Sequence, residues 1–160
     1  MIKVSIGQDS HRFVEEGDSK ELVLGGIVIP NERGLAGNSD ADVILHAITN
    51  AISGITTVNI LGAKADEICL DKGIADSKVY LQKALEYLEG YTITHLSLSI
   101  EALNPKLAPH SENIRKSIAA LMDLPLTAVA MTATTGEGLT DFGRGDGMQC
   151  FVIATAQKNL

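Results

Sequence analysis

The chain has 160 residues, a formal net charge of −7 at neutral pH, and a hydrophobic content of 45%. This length is typical of one domain with a real core, so we expect a single domain over residues 1–160. The negative charge argues against a nucleic-acid duplex or an anionic membrane as a partner, because either surface would repel the chain at long range.

Cysteine usage and apolar runs indicate the compartment. Cys69 and Cys150 are the two cysteines of the chain. Two cysteines are too few for a disulfide framework, which favours a reduced cytosolic setting. No apolar run approaches the roughly 20 residues that span a bilayer, and the first predicted strand begins at once, without room for a cleavable signal. We therefore expect a soluble, cytoplasmic protein.

The first predicted element is a strand that carries two metal-binding residue types. Residues 2–6 alternate between apolar and polar, which is the pattern of a half-buried strand, and Gly7 ends the alternation. If the strand geometry continues past Gly7, Asp9 and His11 point to the same side and Ser10 points away. Because a catalytic zinc ion usually takes three protein ligands, a third ligand must come from elsewhere in the fold.

A second strand and a helix follow. The strand is predicted from Leu22 to Ile29 and is expected to pair with the first. The helix is predicted over residues 38–54, with Asn38 or Ser39 as its N-cap and Gly54 as its stop signal. Its apolar residues recur at three- and four-residue spacing: Val43, Ile44, Ala47, Ile48, Ala51 and Ile52.

His46 lies on the polar side of this helix, in a stripe with Asp42 and Asn50. One interpretation is a partly exposed histidine with ordinary hydrogen bonds. The other is the third ligand of a zinc site with Asp9 and His11, in which one coordination position stays open. The combination of His46 with the Asp-x-His pair favours the metal site.

The remaining elements complete an α+β pattern. Ser77 is predicted to cap a helix that ends at Gly90, and a second helix is predicted from Ser111 to Met122. Strands are predicted over residues 93–100, 129–134 and 148–156, and a Gly-rich loop over residues 136–147. We expect a single compact domain with a mixed sheet of about five or more strands and with helices on one face.

Several motifs resemble the 2-C-methyl-D-erythritol 2,4-cyclodiphosphate synthase family. In the first half of the chain they are Gly-Gln-Asp-Ser-His at 7–11, the segment at 24–30, and Gly-Asn-Ser-Asp-Ala-Asp-Val-Ile-Leu-His-Ala at 37–47. In the second half they are Pro-Lys-Leu-Ala-Pro-His at 105–110, the Thr-rich stretch at 132–137, and Gly-Arg-Gly-Asp-Gly at 143–147. The match covers nearly the whole chain in order. It implies a homotrimer with active sites between neighbouring subunits.

The resemblance implies an intramolecular phosphoryl transfer in the non-mevalonate isoprenoid pathway. The substrate would be a cytidine diphosphate derivative, 4-diphosphocytidyl-2-C-methyl-D-erythritol 2-phosphate. Its 2-phosphate attacks the β-phosphate of its own diphosphate, releasing CMP and closing a cyclic diphosphate. Because nucleophile and electrophile share one molecule, this phosphorus–oxygen lyase reaction needs positioning and charge neutralisation rather than a protein nucleophile.

The resemblance also assigns roles to individual residues. It implies Zn²⁺ on Asp9, His11 and His46, and a second divalent cation, Mg²⁺ or Mn²⁺, held by Glu137 and the substrate diphosphate. Thr135 and Asn38 are the implied catalytic residues. The implied substrate-binding residues are Asp9, Ser10, His11, Asn38, Ser39, Gly62, Ala102, Pro105, Lys106, Leu107, Ala108, Thr134, Thr135, Glu137 and Arg144.

Ordinary structural roles stand beside these assignments. Ser39 would serve as a helix cap only, Thr134 and Thr135 as strand formers, and Lys106 as a solvated turn residue. Arg144 is a separate case, because the resemblance places it in a cavity on the trimer axis where an isoprenoid diphosphate can bind. It would then be regulatory or structural rather than catalytic.

The chain departs from the family pattern at substrate positions. Asn38 replaces a usual His, and Ile60 replaces the Asp expected to hold the methylerythritol hydroxyls. The Phe-Pro-Asp segment that usually follows is missing, and Asp66, Glu67 and Asp71 are the acids that could replace its role. These departures leave two alternatives open: a non-catalytic metal- and nucleotide-binding trimer that senses an isoprenoid diphosphate, and a hydrolase of another nucleoside diphosphate derivative.

Overall fold

The computed structural model describes residues 1–67 and 72–160. Cys69 and Asp71 lie outside the described residues. The strands are β1 (Ile2–Arg12), β2 (Glu21–Leu24), β3 (Ile27–Arg33), β4 (Tyr91–Glu101), β5 (Val129–Thr134) and β6 (Gly147–Lys158). The helices are α1 (Val43–Thr56), α2 (Ala63–Asp66), α3 (Ser77–Leu85) and α4 (Ser111–Met122). Short 3-10 turns lie at Ala108–His110, Leu126–Ala128 and Gly136–Gly138.

The main sheet has the strand order β1-β6-β4-β5. β6 pairs antiparallel with both β1 and β4, and β4 pairs in parallel with β5. The expected α+β domain with a mixed sheet is therefore confirmed. Within the described ranges the sheet holds four strands rather than five or more, because the other two strands form a separate pair.

That separate pair corrects the prediction of one strand from Leu22 to Ile29. The segment folds back on itself, so that β2 and β3 form an antiparallel hairpin instead of pairing with β1. Gly25 and Gly26 form the turn with φ angles of 63° and 86°. Both residues adopt a left-handed backbone that glycine tolerates readily. The apolar run was long enough for one strand, and the two glycines divide it.

The helices cover one face of the main sheet, as predicted. α1 packs on β1 and β6, α3 packs on α1, and α4 packs beside β5. The opposite face carries exposed apolar side chains, among them Val4, Ile6, Phe151 and Ile153. In the described part of the chain, no helix is both long and apolar enough to cross a membrane.

Two helices begin at residues other than those predicted. α1 starts at Val43, and its N-cap is Asp42, whose side chain accepts from the Leu45 amide. Ala41 has a φ of 55°, so the chain before Asp42 cannot continue the helix to Asn38 or Ser39. The N-cap of α3 is Asp76 rather than Ser77, and α3 ends at Leu85, before Gly90. In contrast, α4 and β5 have the predicted bounds.

Candidate metal centre and active site

β1 places Asp9 and His11 on the helix-covered face of the sheet. The strand runs without interruption to Arg12, and its burial alternates through Gly7, Asp9 and His11. Ser10 is exposed on the opposite face, as the sequence predicts. The side chains of Asp9 and His11 remain about one-fifth exposed, at 22% and 20%, so they are accessible to a small molecule.

α1 brings His46 to the same place because it packs very closely on β1. Gly7 makes this approach feasible, since a Cβ atom at that position would lie 2.0 Å from the Ala47 carbonyl oxygen. The Asn50 side-chain amide adds a hydrogen bond of 3.0 Å to the Gln8 carbonyl. His46 is 8% exposed, which contradicts the alternative of a partly exposed surface histidine.

The three side chains converge on one point. His11 Nε2 lies 2.8 Å from Asp9 Oδ2, and His46 Nδ1 lies 3.1 Å from the same oxygen. The two ring nitrogens are 3.3 Å apart. Donor atoms at ordinary bond lengths from a tetrahedral zinc ion lie about 3.3 Å from one another. The cluster therefore fits a metal ion held by two imidazoles and one carboxylate.

The cluster shifts the pKa values of two of its members. Burial would raise the pKa of Asp9, but the hydrogen bonds and charges of His11 and His46 together hold it below its ordinary value. Burial would lower the pKa of His11, but the hydrogen bond and charge of Asp9 help to raise it. Protons and a metal ion would therefore compete for the same donor atoms.

Each histidine uses its other nitrogen to contact the protein. His11 Nδ1 lies 2.8 Å from the Ala36 carbonyl oxygen, which can only accept, so His11 presents Nε2 to the cluster. His46 Nε2 lies 2.8 Å from the Ser77 hydroxyl. The His46 ring also packs edge-on against Tyr80, with 6.3 Å between the ring centroids.

Lys20 holds the loop before α1, a role that the sequence pattern does not predict. Lys20 Nζ donates to the carbonyl oxygens of Gly37 and Ser39, at 3.1 and 2.8 Å. The Ser39 hydroxyl accepts from the Ala41 amide at 3.1 Å. The two contacts of Lys20 flank Asn38, so the lysine places a positive charge beside the predicted phosphate-binding residues.

The cluster opens into a cavity of about 350 Å³. The predicted residues Asn38, Ser39 and Gly62 line it, whereas Ile60 is fully buried in the core. Of the two acids in the segment 61–67, Asp66 lines the cavity and Glu67 does not. The complete lining is Asp9, His11, Gly37, Asn38, Ser39, His46, Leu61, Gly62, Ala65, Asp66 and Tyr80.

The other predicted site residues lie at the opposite edge of the sheet. Thr134 ends β5, and Thr135 and Glu137 follow it, all of them exposed. β1 and β5 are separated by β6 and β4, which is roughly 14 Å at ordinary strand spacing. Leu107 and Ala108 line a separate hollow of about 390 Å³ beside β5, near Ala102, Pro105 and Lys106 in sequence. One chain does not unite these residues with the metal cluster.

Arg144 follows Gly143, whose Cα would lie 2.9 Å from a Cβ atom on Gly136, so it belongs to the same loop as Glu137. Its guanidinium forms an ion pair with Asp141, and its side chain is 53% exposed. Asp141 lines a hollow of about 170 Å³ with Ser10, Arg12, Phe142 and other residues. Ser10 therefore lies beside this hollow and not in the metal cavity, although the family resemblance implies that Ser10 binds substrate.

Sequence reasoning missed three residues that support the site. They are Lys20, Ser77, and Asp40, which accepts from the Ser77 amide at 3.1 Å. The sequence predicts Ser77 as a helix cap. Its contact with His46 joins two helices, so no local sequence pattern predicts that contact. Lys20 is one of several lysines on polar segments, and nothing near it in sequence distinguishes it.

Comparisons with known proteins show the relatives of this chain. The 2-C-methyl-D-erythritol 2,4-cyclodiphosphate synthase of Chlamydia abortus is 49% identical over 157 residues, which are 98% of this chain and 89% of the relative. The enzyme of the same name from Chlamydia trachomatis serovar D is also 49% identical, over 98% of this chain and 88% of the relative.

Solved structures give the same result. The bifunctional IspDF of Campylobacter jejuni matches with a TM-score of 0.89 and 28% identity, over 99% of this chain and 43% of that longer chain. A 2C-methyl-D-erythritol-2,4-cyclodiphosphate synthase solved in a CDP-bound form matches with a TM-score of 0.81 and 29% identity, over 97% of this chain and 100% of the other. The model of the YgbB family matches residues 2–157. Because that match covers nearly all of the sequence, the chain belongs to the YgbB family.

Proposed function

We propose that the protein is a 2-C-methyl-D-erythritol 2,4-cyclodiphosphate synthase. It converts 4-diphosphocytidyl-2-C-methyl-D-erythritol 2-phosphate to the cyclic diphosphate and CMP. The observation that carries the proposal is the convergence of Asp9, His11 and His46 at an open cavity. Relatives that are 49% identical over almost the whole chain carry the same name.

A metal ion is part of this proposal. The donor set of two imidazole nitrogens and one carboxylate oxygen suits zinc, and three protein ligands leave a fourth position open. When bound there, zinc would polarise a phosphate oxygen of the substrate as a Lewis acid. Glu137 offers an exposed carboxylate for a second, hard cation such as Mg²⁺ or Mn²⁺, which prefers carboxylate and phosphate oxygens.

The chain's own residues position the reacting phosphates. Asn38 and Ser39 line the cavity next to the metal cluster, where an amide and a hydroxyl can donate to phosphate oxygens. The Lys20 ammonium adds positive charge beside them. The attacking phosphate and the diphosphate belong to one substrate, so correct placement replaces activation of a protein nucleophile.

A complete site requires more than one chain. Thr134, Thr135, Glu137 and the segment around Lys106 lie at the β5 edge, away from the β1 edge that holds the cluster. A homotrimer that places the β5 edge of one subunit beside the β1 edge of its neighbour would unite them. Such self-association is supported by the exposed apolar face of the sheet, where Val4, Ile6 and Ile153 are 65%, 64% and 47% exposed.

The ligand predicted at Arg144 is a separate part of the proposal. An isoprenoid diphosphate in a cavity of the trimer would present phosphate oxygens to the Arg144 guanidinium. In the isolated chain that guanidinium is paired with Asp141. The guanidinium has five N–H donors, so it can bind the diphosphate beside the carboxylate, and this exposed ion pair opposes binding little.

A product-resolved assay tests the proposed reaction. Purified protein of measured zinc content is incubated with the substrate and Mg²⁺, and CMP and the cyclic diphosphate are followed together by mass. We expect equimolar amounts of both. Intact substrate with zinc fully loaded would support the binding-protein alternative, and CMP without cyclic product would indicate hydrolysis. His46→Ala should lose zinc and turnover, whereas His95→Ala, on β4 and outside the cluster, should retain both.

A further inference from the structure

The buried hydroxyl of Ser77 contacts the His46 nitrogen that faces away from the metal cluster. Ser77 Oγ lies 2.8 Å from His46 Nε2, and Ser77 is fully buried. The Ser39 hydroxyl lies farther from the same nitrogen, at 3.4 Å. Nδ1 of the ring faces Asp9 Oδ2 instead. The two nitrogens of His46 therefore have separate partners.

Asp40 determines which way the Ser77 hydroxyl proton points. The hydroxyl donates to Asp40 Oδ1 in a short hydrogen bond. The Ser77 amide donates to Asp40 Oδ2 at 3.1 Å, and the Asp42 amide donates to Oδ1 at 3.1 Å. The Asp40 amide in turn donates to the Ala75 carbonyl at 2.8 Å. An ionised carboxylate can only accept hydrogen bonds, so the single hydroxyl proton of Ser77 is committed to Asp40.

This arrangement specifies the tautomer of His46. Because the Ser77 hydroxyl gives its proton to Asp40, it can only accept from His46, and His46 Nε2 must carry the hydrogen. We propose that Asp40 and Ser77 form a positioning pair that holds His46 in its Nε2–H tautomer and presents the Nδ1 lone pair to the metal. The inference rests on the proposed function only in taking the cluster of Asp9, His11 and His46 as a metal site.

The Ser77 hydroxyl has no competing duty as a helix cap. The side chain of Asp76 accepts from the Lys78 amide at 2.9 Å and caps α3. His11, by comparison, is oriented by the Ala36 carbonyl of the backbone. The two histidines are therefore oriented in different ways, and only His46 depends on side chains that a substitution can remove.

The direct test is zinc affinity, measured by chelator competition without substrate. Ser77→Ala removes the acceptor for Nε2–H, and loss of such a supporting contact typically weakens metal binding by about 10- to 100-fold. Ser53→Ala is the matched control, because it removes a buried hydroxyl of α1 that has no hydrogen-bond partner among the described residues. We expect the control to bind zinc like the wild type.

A second measurement reads the tautomer itself. In the metal-free wild type, ¹⁵N spectra of the histidine rings should show a hydrogen on Nε2 in every His46 ring, whether or not Nδ1 also donates to Asp9. Ser77→Ala should add rings whose Nε2 carries no hydrogen. Asp40→Asn should also weaken zinc binding, because one amide oxygen cannot accept all the hydrogen bonds that the two carboxylate oxygens accept. This variant decides the question if Ser77→Ala does not fold.

Wild-type zinc affinity together with a hydrogen on Nε2 of every His46 ring in the Ser77 variant, or in Asp40→Asn if that variant alone folds, would overturn the inference. So would a wild type that holds His46 in the Nδ1–H form. Neither the zinc affinity nor the ¹⁵N spectrum depends on turnover. A wild-type protein that binds zinc but makes no cyclic product would therefore contradict the proposed function and leave the positioning pair intact.

Discussion

His11 and Asp9 share a proton-dependent interaction that a metal ion would replace. The two side chains are 2.8 Å apart, and Asp9 favours the protonated form of His11. A metal ion needs the neutral imidazole instead. The same pair therefore stabilises the metal-free fold in acid and the metal-bound form at higher pH.

This competition gives a pH prediction for the metal-free protein. The pKa of His11 is raised in the folded state, so its contribution to stability is complete below its unfolded value of about 6.5 and is lost as pH rises through the folded value. We expect the melting temperature to fall with pH across this window more steeply in the wild type than in His11→Gln. Zinc affinity should rise over the same window. Parallel melting profiles for the two proteins would contradict the assignment.

We predict that Asp66 replaces the acid that the altered substrate loop lacks. It lines the metal cavity, whereas Ile60, at the position of the usual acid, is fully buried and cannot reach a ligand there. We expect Asp66→Asn to raise KM by about tenfold with a smaller effect on kcat, since a charge-assisted hydrogen bond to the substrate hydroxyls is lost. Glu67→Gln, which changes an exposed neighbouring acid outside the cavity, should leave KM unchanged. Equal effects of the two substitutions would exclude a specific role for Asp66.

At the scale of elements, Asp42 connects the β2–β3 hairpin to the start of α1. Its carboxylate accepts from the amides of Gly25, Gly26 and Leu45 at 2.9, 2.7 and 3.0 Å. The residue is fully buried, and burial raises its pKa to about 6. A single side chain thus accepts hydrogen bonds from amides of a tight turn and of a helix N-terminus. It holds the hairpin against the start of the helix that carries His46.

Asp42→Ala should therefore destabilise the protein more than the loss of an ordinary cap. Removal of a cap costs about 1 kcal/mol, and each buried amide left without a partner costs about 1 to 3 kcal/mol more. Asp76→Ala is the matched control, because Asp76 caps α3 through one amide and is half exposed. Chemical denaturation should show a loss of about 3 kcal/mol or more for Asp42→Ala and about 1 kcal/mol for Asp76→Ala. Similar losses would show that the hairpin contacts contribute little.

At the scale of the whole molecule, the proposed site is divided between the two edges of the main sheet. The metal cluster belongs to the β1 edge, and Glu137 with the Thr-rich strand end belongs to the β5 edge. Neither half holds both the metal cluster and the proposed nucleotide contacts. Activity should therefore depend on how copies of the chain associate.

Mixed oligomers test this division. His46→Ala and Glu137→Gln should each be nearly inactive alone. Co-expressed chains should also form mixed trimers, in each of which about one site in three combines two intact halves. We expect turnover to return in purified mixed trimers. A mixture of His46→Ala with His11→Ala should stay inactive, because both substitutions affect the same edge. If the first mixture also stays inactive, the two halves do not come from neighbouring subunits.

The sequence predicted much of the fold and the core of the site from local patterns. The alternation of residues 2–6 extended correctly to Asp9 and His11, and α4 and β5 have the predicted bounds. The combination of His46 with the Asp-x-His pair also predicted it as the third member of the cluster, and the structure places it there. These predictions succeeded because the side of a strand or helix that a residue occupies follows from the geometry of that element alone.

Only the tertiary structure decided how the elements meet. It divided the segment from Leu22 to Ile29 into a hairpin, made Asp42 the cap of α1, and placed Ser77 against His46. It also buried Ile60 and brought Asp66 to the cavity. Each of these outcomes depends on contacts between residues distant in the chain, and local periodicity carries no information about them. The sequence by itself therefore determined the three residues of the candidate metal cluster, while the packing of α1, α3 and the sheet determined what orients them.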